Sequence, residues 1–81
     1  MIKIYSLSTC GHCRQAKQLL EELAAEYSSV EVDRLEGEER SRAISEVRKV
    51  NPALSFPTLV IGERVIAGNR EKLIREALEE E

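Results

Sequence analysis

The chain has 81 residues, 42% of them hydrophobic and 33% charged. That balance fits one small globular domain over residues 1–81 and excludes a multidomain enzyme and an intrinsically disordered segment. Twelve Lys and Arg against fifteen Asp and Glu leave a net charge of -3, so no cationic surface is expected for nucleic acid or an anionic membrane.

Met1 to Leu7 alternates, with Ile2 and Ile4 on one side and Lys3 on the other, which predicts a strand. The same stretch is too short and too little charged for a secretory signal. No window reaches the roughly eighteen apolar residues of a membrane span, and a cytoplasmic, monomeric protein is expected. Ser8 or Thr9 offers a helix cap, and Cys13, Ala16, Leu19, Leu20, Leu23, Ala24 and Tyr27 recur at helical spacing. Val30 and Val32 alternate with Glu31 and Asp33 in a short second strand. After a break at Leu35 to Gly37, Glu36 to Arg42 reads as a solvated helix start, and Ala43, Ile44, Val47 and Val50 form the buried stripe of that helix. Asn51-Pro52 ends it, because a residue before proline is pushed out of helical geometry.

Beyond the loop Pro52 to Ser55, the apolar runs Thr58 to Ile61 and Arg64 to Ala67 flank Gly62-Glu63. This predicts a hairpin with glycine at a positive φ. Gly68-Asn69 punctuates and caps a last helix whose stripe is Leu73, Ile74, Ala77 and Leu78, and the acidic tail Glu79 to Glu81 is expected to fray against the helix dipole. The order is βαβαββα, without repeats or low-complexity segments.

The chemistry concentrates in Cys10-Gly11-His12-Cys13. A disulfide closing a two-residue loop constrains the unfolded chain very little, so the pair is not a structural staple. If the helix begins near Gly11, Cys10 sits where free amide N–H groups and the positive dipole end favour a thiolate, making it the attacking sulfur. Cys13 follows one turn on, within disulfide reach, as the resolving sulfur. His12, as imidazolium, would lower the Cys10 pKa further; its other reading is an exposed, inert residue. Arg14 and Lys17 either add positive potential or serve as ordinary surface cations. Two cysteines and one histidine in four residues would complete a tetrahedral zinc site only with a second chain.

A second element is Ser55-Phe56-Pro57-Thr58, with proline at the mouth of an apolar strand; the plain reading is an edge or turn proline. The element order, the CxxC at the first strand–helix junction and this proline resemble the thioredoxin fold in its minimal, glutaredoxin-like form. The resemblance spans essentially the whole chain. It implies an α/β fold with a four-stranded mixed sheet flanked by three helices, and a thiol-disulfide oxidoreductase using Cys10 and Cys13. It also implies a cis bond at Phe56-Pro57, with Pro57 facing the sulfurs and the Phe56 backbone pairing with substrate. Gly11, Phe56, Pro57, Gly68, Asn69 and Arg70 are accordingly the expected substrate-facing residues.

Two departures qualify the resemblance. Gly11-His12 resembles the pair of protein disulfide isomerases rather than the Pro-Tyr of common glutaredoxins. Isomerase and thioredoxin potentials, roughly -180 and -270 mV, differ by about 4 kcal/mol, so a fairly oxidising potential is expected. After the hairpin, glutathione-using glutaredoxins carry Gly-Gly, a polar residue and Asp, whereas this chain has Ala67-Gly68-Asn69-Arg70. That run is closer to the ribonucleotide-reductase-linked redoxins recycled by a thioredoxin reductase. The plain reading is that Asn69 caps the last helix and Arg70 is solvated.

No bound cofactor is expected. Expected partners are disulfide-bearing proteins, with glutathione as a co-substrate or a thioredoxin-reductase-type flavoenzyme as reductant. The alternative from another class is a metal-binding module, either a metallochaperone or a dimeric iron-sulfur scaffold using the same CxxC. Heavy-metal-associated domains, however, end in a strand where this chain ends in a helix.

Overall fold

The computed structural model describes residues 1–80. In chain order the elements are β1 (Ile2–Ser6), α1 (Gly11–Glu22), β2 (Ser28–Glu31), a 3-10 turn (Val32–Arg34), α2 (Gly37–Val50), β3 (Thr58–Ile61), β4 (Arg64–Ala67) and α3 (Glu71–Glu80). The four strands form one mixed sheet in the order β2-β1-β3-β4. β2 pairs parallel to β1, as a strand returning through a crossover helix must, and β3 and β4 add antiparallel.

Alternation along β1 sets the layers. Ile2 and Ile4 join Ala16, Leu19 and Leu20 of α1, Leu59 and Ile61 of β3, Ile66 of β4, and Ile74 and Ala77 of α3 in one core. Tyr5 points the other way into a second cluster with Val32, Ala43 and Val47. Helices α1 and α3 therefore cover one face and α2 the other. Fully burying a side chain such as Leu20, Leu59 or Ile74 stabilises by about 1.5–3 kcal/mol before the entropy of ordering the chain. On the α2 face, the Tyr5 hydroxyl donates to Glu46 Oε2 at 2.8 Å, and Lys3 Nζ lies 3.7 Å from the same oxygen.

Several boundaries differ from the periodicity reading. Val32 lies in the 3-10 turn rather than in β2, because the chain bends after Glu31 and brings Asp33 back toward Ser8; Val32 stays buried all the same. Helix α1 stops at Glu22, short of Leu23, Ala24 and Tyr27. Ala25 N–H donates to Leu20 O and Ala24 N–H to Glu21 O, with Ala24 at a φ of 56°. These two bonds are the paired closure of a Schellman turn, normally built on glycine. Leu23 and Tyr27 still pack on the core from the loop.

Val50 and Leu73, assigned to buried stripes, are 41% and 40% exposed: Val50 is the last residue of α2, and Leu73, in the first turn of α3, flanks the stripe whose buried centre is Ile74 and Ala77. The hairpin is as expected, with Gly62 at a φ of 59°. Helix α3 runs through Glu80, so Glu79 and Glu80, expected to fray, are helical instead; Glu81 lies outside the described residues.

Ala24 is exposed and holds a left-handed conformation that costs an L-residue roughly 1–2 kcal/mol. Glycine removes that cost but gives the unfolded chain about 0.4–1 kcal/mol of extra freedom. Ala24→Gly should therefore stabilise the protein by about 0.5–1 kcal/mol, read as a higher urea midpoint at unchanged slope.

Candidate active site

The CxxC loop begins where β1 leaves the sheet. Leu7 O accepts the Cys10 N–H at 3.2 Å, closing a turn. Ser8, expected as a helix cap, is used differently: its N–H donates to Asp33 Oδ1 at 2.9 Å and its hydroxyl to Asp33 Oδ2. The two Ser8 bonds hold the Asp33 carboxyl below its ordinary pKa. The loop is thereby fastened to the turn after β2.

Cys10 itself is the N-cap of α1, with extended φ and ψ of -89° and 119°. Its carbonyl accepts Arg14 N–H at 3.1 Å and its Sγ accepts Cys13 N–H at 3.3 Å. A sulfur thus takes the place of the usual Ser or Asp oxygen. The Cys10 pKa is lowered, first by the Cys13 thiol donating to it, against some desolvation, and then by the backbone N–H groups of Cys13 and His12. Cys13, 1% exposed, shows the opposite shift. Burial above all, and its bond to Cys10, push its thiol up to about 11, while the Leu7 backbone and the Lys17 charge pull the other way. One accessible sulfur biased toward thiolate therefore sits beside a buried sulfur held as thiol.

The sheet register brings the remaining candidates to the same end. Tyr5 pairs with Thr58 and Thr58 with Ala67, so Pro57 and Gly68 flank the point where β1 hands over to the CxxC loop. The Phe56-Pro57 bond is cis, Pro57 is buried, and its carbonyl accepts the Gly68 N–H at 2.7 Å. Phe56 is half-buried against the Tyr5 cluster. Gly68, at a φ of 90°, makes the reversal from β4 to α3 that a side chain would strain.

Asn69 is not the helix cap. The Arg70 carbonyl accepts Ile74 N–H at 3.0 Å, while the Asn69 Nδ2 crosses to Gln15 Oε1 on α1 at 3.1 Å. Arg70, Gly11 and His12 are exposed. Among the described residues no three His, Cys, Asp or Glu side chains gather as a metal site, so a metal here would need ligands beyond the two sulfurs.

Two contributors escape sequence reasoning. Gln15 looks like any helix-surface polar residue, and its partner lies 54 positions away. Asn51, read only as a helix terminator, is buried and organises the loop before Pro57. Its Nδ2 donates to Ser55 Oγ and Thr58 Oγ1, both at 3.0 Å, and the Thr58 hydroxyl donates to Ser55 O at 2.7 Å. The available signal was an Asn followed at close range by Ser and Thr around a proline.

A three-layer α/β/α fold with a dithiol capping its first helix defines a thioredoxin-fold redox protein. The glutaredoxin family model matches residues 2–66, and the chain belongs to the glutaredoxin family. Similar crystal structures include methanoredoxin of Methanosarcina acetivorans (49% identity, TM-score 0.91, covering 95% of this chain and 82% of that one). The glutaredoxin of Methanosarcina mazei Go1 is also 49% identical, with a TM-score of 0.89 and coverage of 95% and 76%. A glutaredoxin of Archaeoglobus fulgidus is 31% identical, with a TM-score of 0.91 and coverage of 95% and 84%. No curated protein matches the sequence.

The two thiols should titrate apart. Because only thiolate alkylates rapidly, Cys10 should react at a lower pH than an ordinary thiol, while Cys13 remains unmodified near neutrality; mass mapping after brief iodoacetamide treatment checks this. The raised Cys13 pKa also makes stability pH-dependent. In the reduced protein its contribution is complete below the unfolded thiol value of 9.0 and is lost as pH rises to about 11. Cys13→Ala should flatten that part of the urea-midpoint profile.

Proposed function

We propose that the protein is a dithiol-disulfide oxidoreductase acting on protein disulfides or glutathione mixed disulfides. The observation that carries this reading is the contrast between the two sulfurs, one stabilised as thiolate at a helix start and one buried as thiol. The Cys10 thiolate attacks a partner's disulfide, forming a mixed disulfide and expelling one partner sulfur, which takes up a proton. Cys13 then loses its proton and attacks Cys10 Sγ. The Cys10-Cys13 disulfide forms, and the second partner sulfur leaves and is protonated, so the partner gains two electrons and two protons.

Around this centre, Phe56 and Pro57 present backbone to an extended substrate, Gly11 leaves the approach open, and the His12 ring adds positive charge when protonated. Gly68, Asn69 and Arg70 border the position of a glutathione glutamyl end. A cytoplasmic, monomeric protein without a bound cofactor, regenerated by glutathione or by a thioredoxin-reductase-type flavoenzyme, completes the proposal. Membrane anchoring through a helix is not part of it, since no helix among the described residues is long and apolar enough to cross a bilayer.

Cys13→Ser, treated with a disulfide-bearing protein, should accumulate a mixed disulfide at Cys10, with Cys10→Ser inert. Absence of any adduct on Cys10 would reject the reading. A second expectation concerns the reductant. Arg70 places a cation near where glutathione carries its ammonium, a like-charge contact worth about 1 kcal/mol at an exposed site. Arg70→Asp should raise glutathione-coupled turnover several-fold with little change in stability, because an anion at the start of α3 also suits the helix dipole. A loss of turnover would mean that Arg70 holds a glutathione carboxylate instead.

A further inference from the structure

Helix α1 carries Lys17 one turn beyond Cys13, at the i, i+4 spacing that places two side chains on one helix face. Its side chain is only 22% exposed, and its Nζ lies 3.1 Å from Glu31 Oε1 at the end of β2. The other carboxylate oxygen, Glu31 Oε2, is 3.0 Å from Arg34 Nε. One carboxylate thus sits between two cations, and the cluster keeps positive charge on the Cys13 side of the helix. Tyr27 also faces Lys17, but burial keeps its phenol protonated, so it adds no charge near neutrality.

The groups acting on Cys13 change during the proposed exchange. In the dithiol, Cys10 opposes ionisation of Cys13 through both its charge and its hydrogen bond. In the mixed disulfide, Cys10 Sγ is bonded to the partner's sulfur and carries no charge, so that opposition vanishes. Burial remains, and among the described residues Lys17 is the charged side chain left in the balance at Cys13.

Resting on that exchange reading, we propose that Lys17, braced by Glu31, is a positioning residue for the resolving step. Its fixed ammonium favours the Cys13 thiolate when that thiolate must form beneath the mixed disulfide. The step itself is Cys13-SH plus Cys10-S-S-partner giving Cys10-S-S-Cys13 and partner-SH. The Cys13 proton passes to solvent and the leaving thiolate recovers one. Lys17 donates no proton to the step.

The test is stopped-flow reaction of the fully reduced protein with an aromatic disulfide that releases a coloured thiolate. The first release reports attack by Cys10 and the second reports resolution by Cys13. Lys17→Met should leave the first release unchanged and slow the second about threefold at pH 7. Without the ammonium the Cys13 pKa rises, and the loss of thiolate outweighs the gain in nucleophilicity, which recovers only about half of it on a logarithmic scale. The deficit should shrink as pH rises toward Cys13 ionisation, and Lys17→Arg should keep the wild-type second phase. Equal second phases in wild type and Lys17→Met from pH 6 to 10, or a deficit that does not change with pH, would overturn the proposal. A wild-type protein that releases only one thiolate would reject the exchange reading and this inference with it.

Discussion

The bond from Cys13 N–H to Cys10 Sγ is the interaction on which the rest of this architecture turns. The start of a helix leaves amide N–H groups without partners inside the helix, and something must accept them. Here the acceptor is the Cys10 sulfur, so capping α1 and favouring the Cys10 thiolate are one physical event. The same turn carries Cys13 round to the core side of α1, where Ala16, Leu19 and Leu20 continue the buried stripe. Desolvation there resists its ionisation. Two chemically identical side chains three residues apart are thus separated in acidity by which side of one helical turn they occupy.

A sulfur cap is useful only if the chain around it is held in place, and three polar ties do this from different directions. Ser8 to Asp33 fastens the loop before the helix to the far side of β1. Asn51, Ser55 and Thr58 fasten the segment leading to Pro57, where Leu54 is held at a φ of 54°. Such a conformation costs a bulky L-residue roughly 1–2 kcal/mol, and a local hydrogen-bond network is what maintains it. The Asn69 to Gln15 bond ties the reversal after β4 to α1. Each tie joins a loop at the CxxC end of the sheet to a neighbouring element; at the other end the Gly62 N–H donates to Met1 O at 3.0 Å and fastens the hairpin turn to the start of β1.

These ties also mark where the sequence stops being legible. The strand β1, the hairpin around Gly62, the order of elements and the opposite acidities of Cys10 and Cys13 follow from short-range patterns: alternation, a glycine turn, a cysteine pair ahead of an apolar stripe. The misplaced features depend on distant partners or on backbone choices that leave little trace in composition. Val32 keeps the alternation of a strand yet belongs to a turn, because Asp33 is drawn to Ser8. Ala24 continues a helical stripe yet reverses the chain, since Ala rarely signals a left-handed residue. Leu73 fits the period of α3 but lies on the flank of the stripe, with Ile74 and Ala77 taking its buried centre. Asn69 has the composition of a cap, and only the proximity of Gln15 assigns it another partner.

Gly11 lies between the capping sulfur and the His12 and Cys13 amides that act on it. Nothing lies within 4 Å of a Cβ placed on it, and its φ is not in the left-handed region, so neither packing nor backbone geometry demands glycine. Helix propensity argues against it, since glycine costs about 1 kcal/mol relative to Ala within a helix and proline is favoured at the first helical position. The acidity of Cys10 arises from the Cys13 thiol and from the backbone of His12 and Cys13, and owes nothing to a contact made at Gly11. A side chain at position 11 could change access to Cys10 while leaving those hydrogen bonds in place.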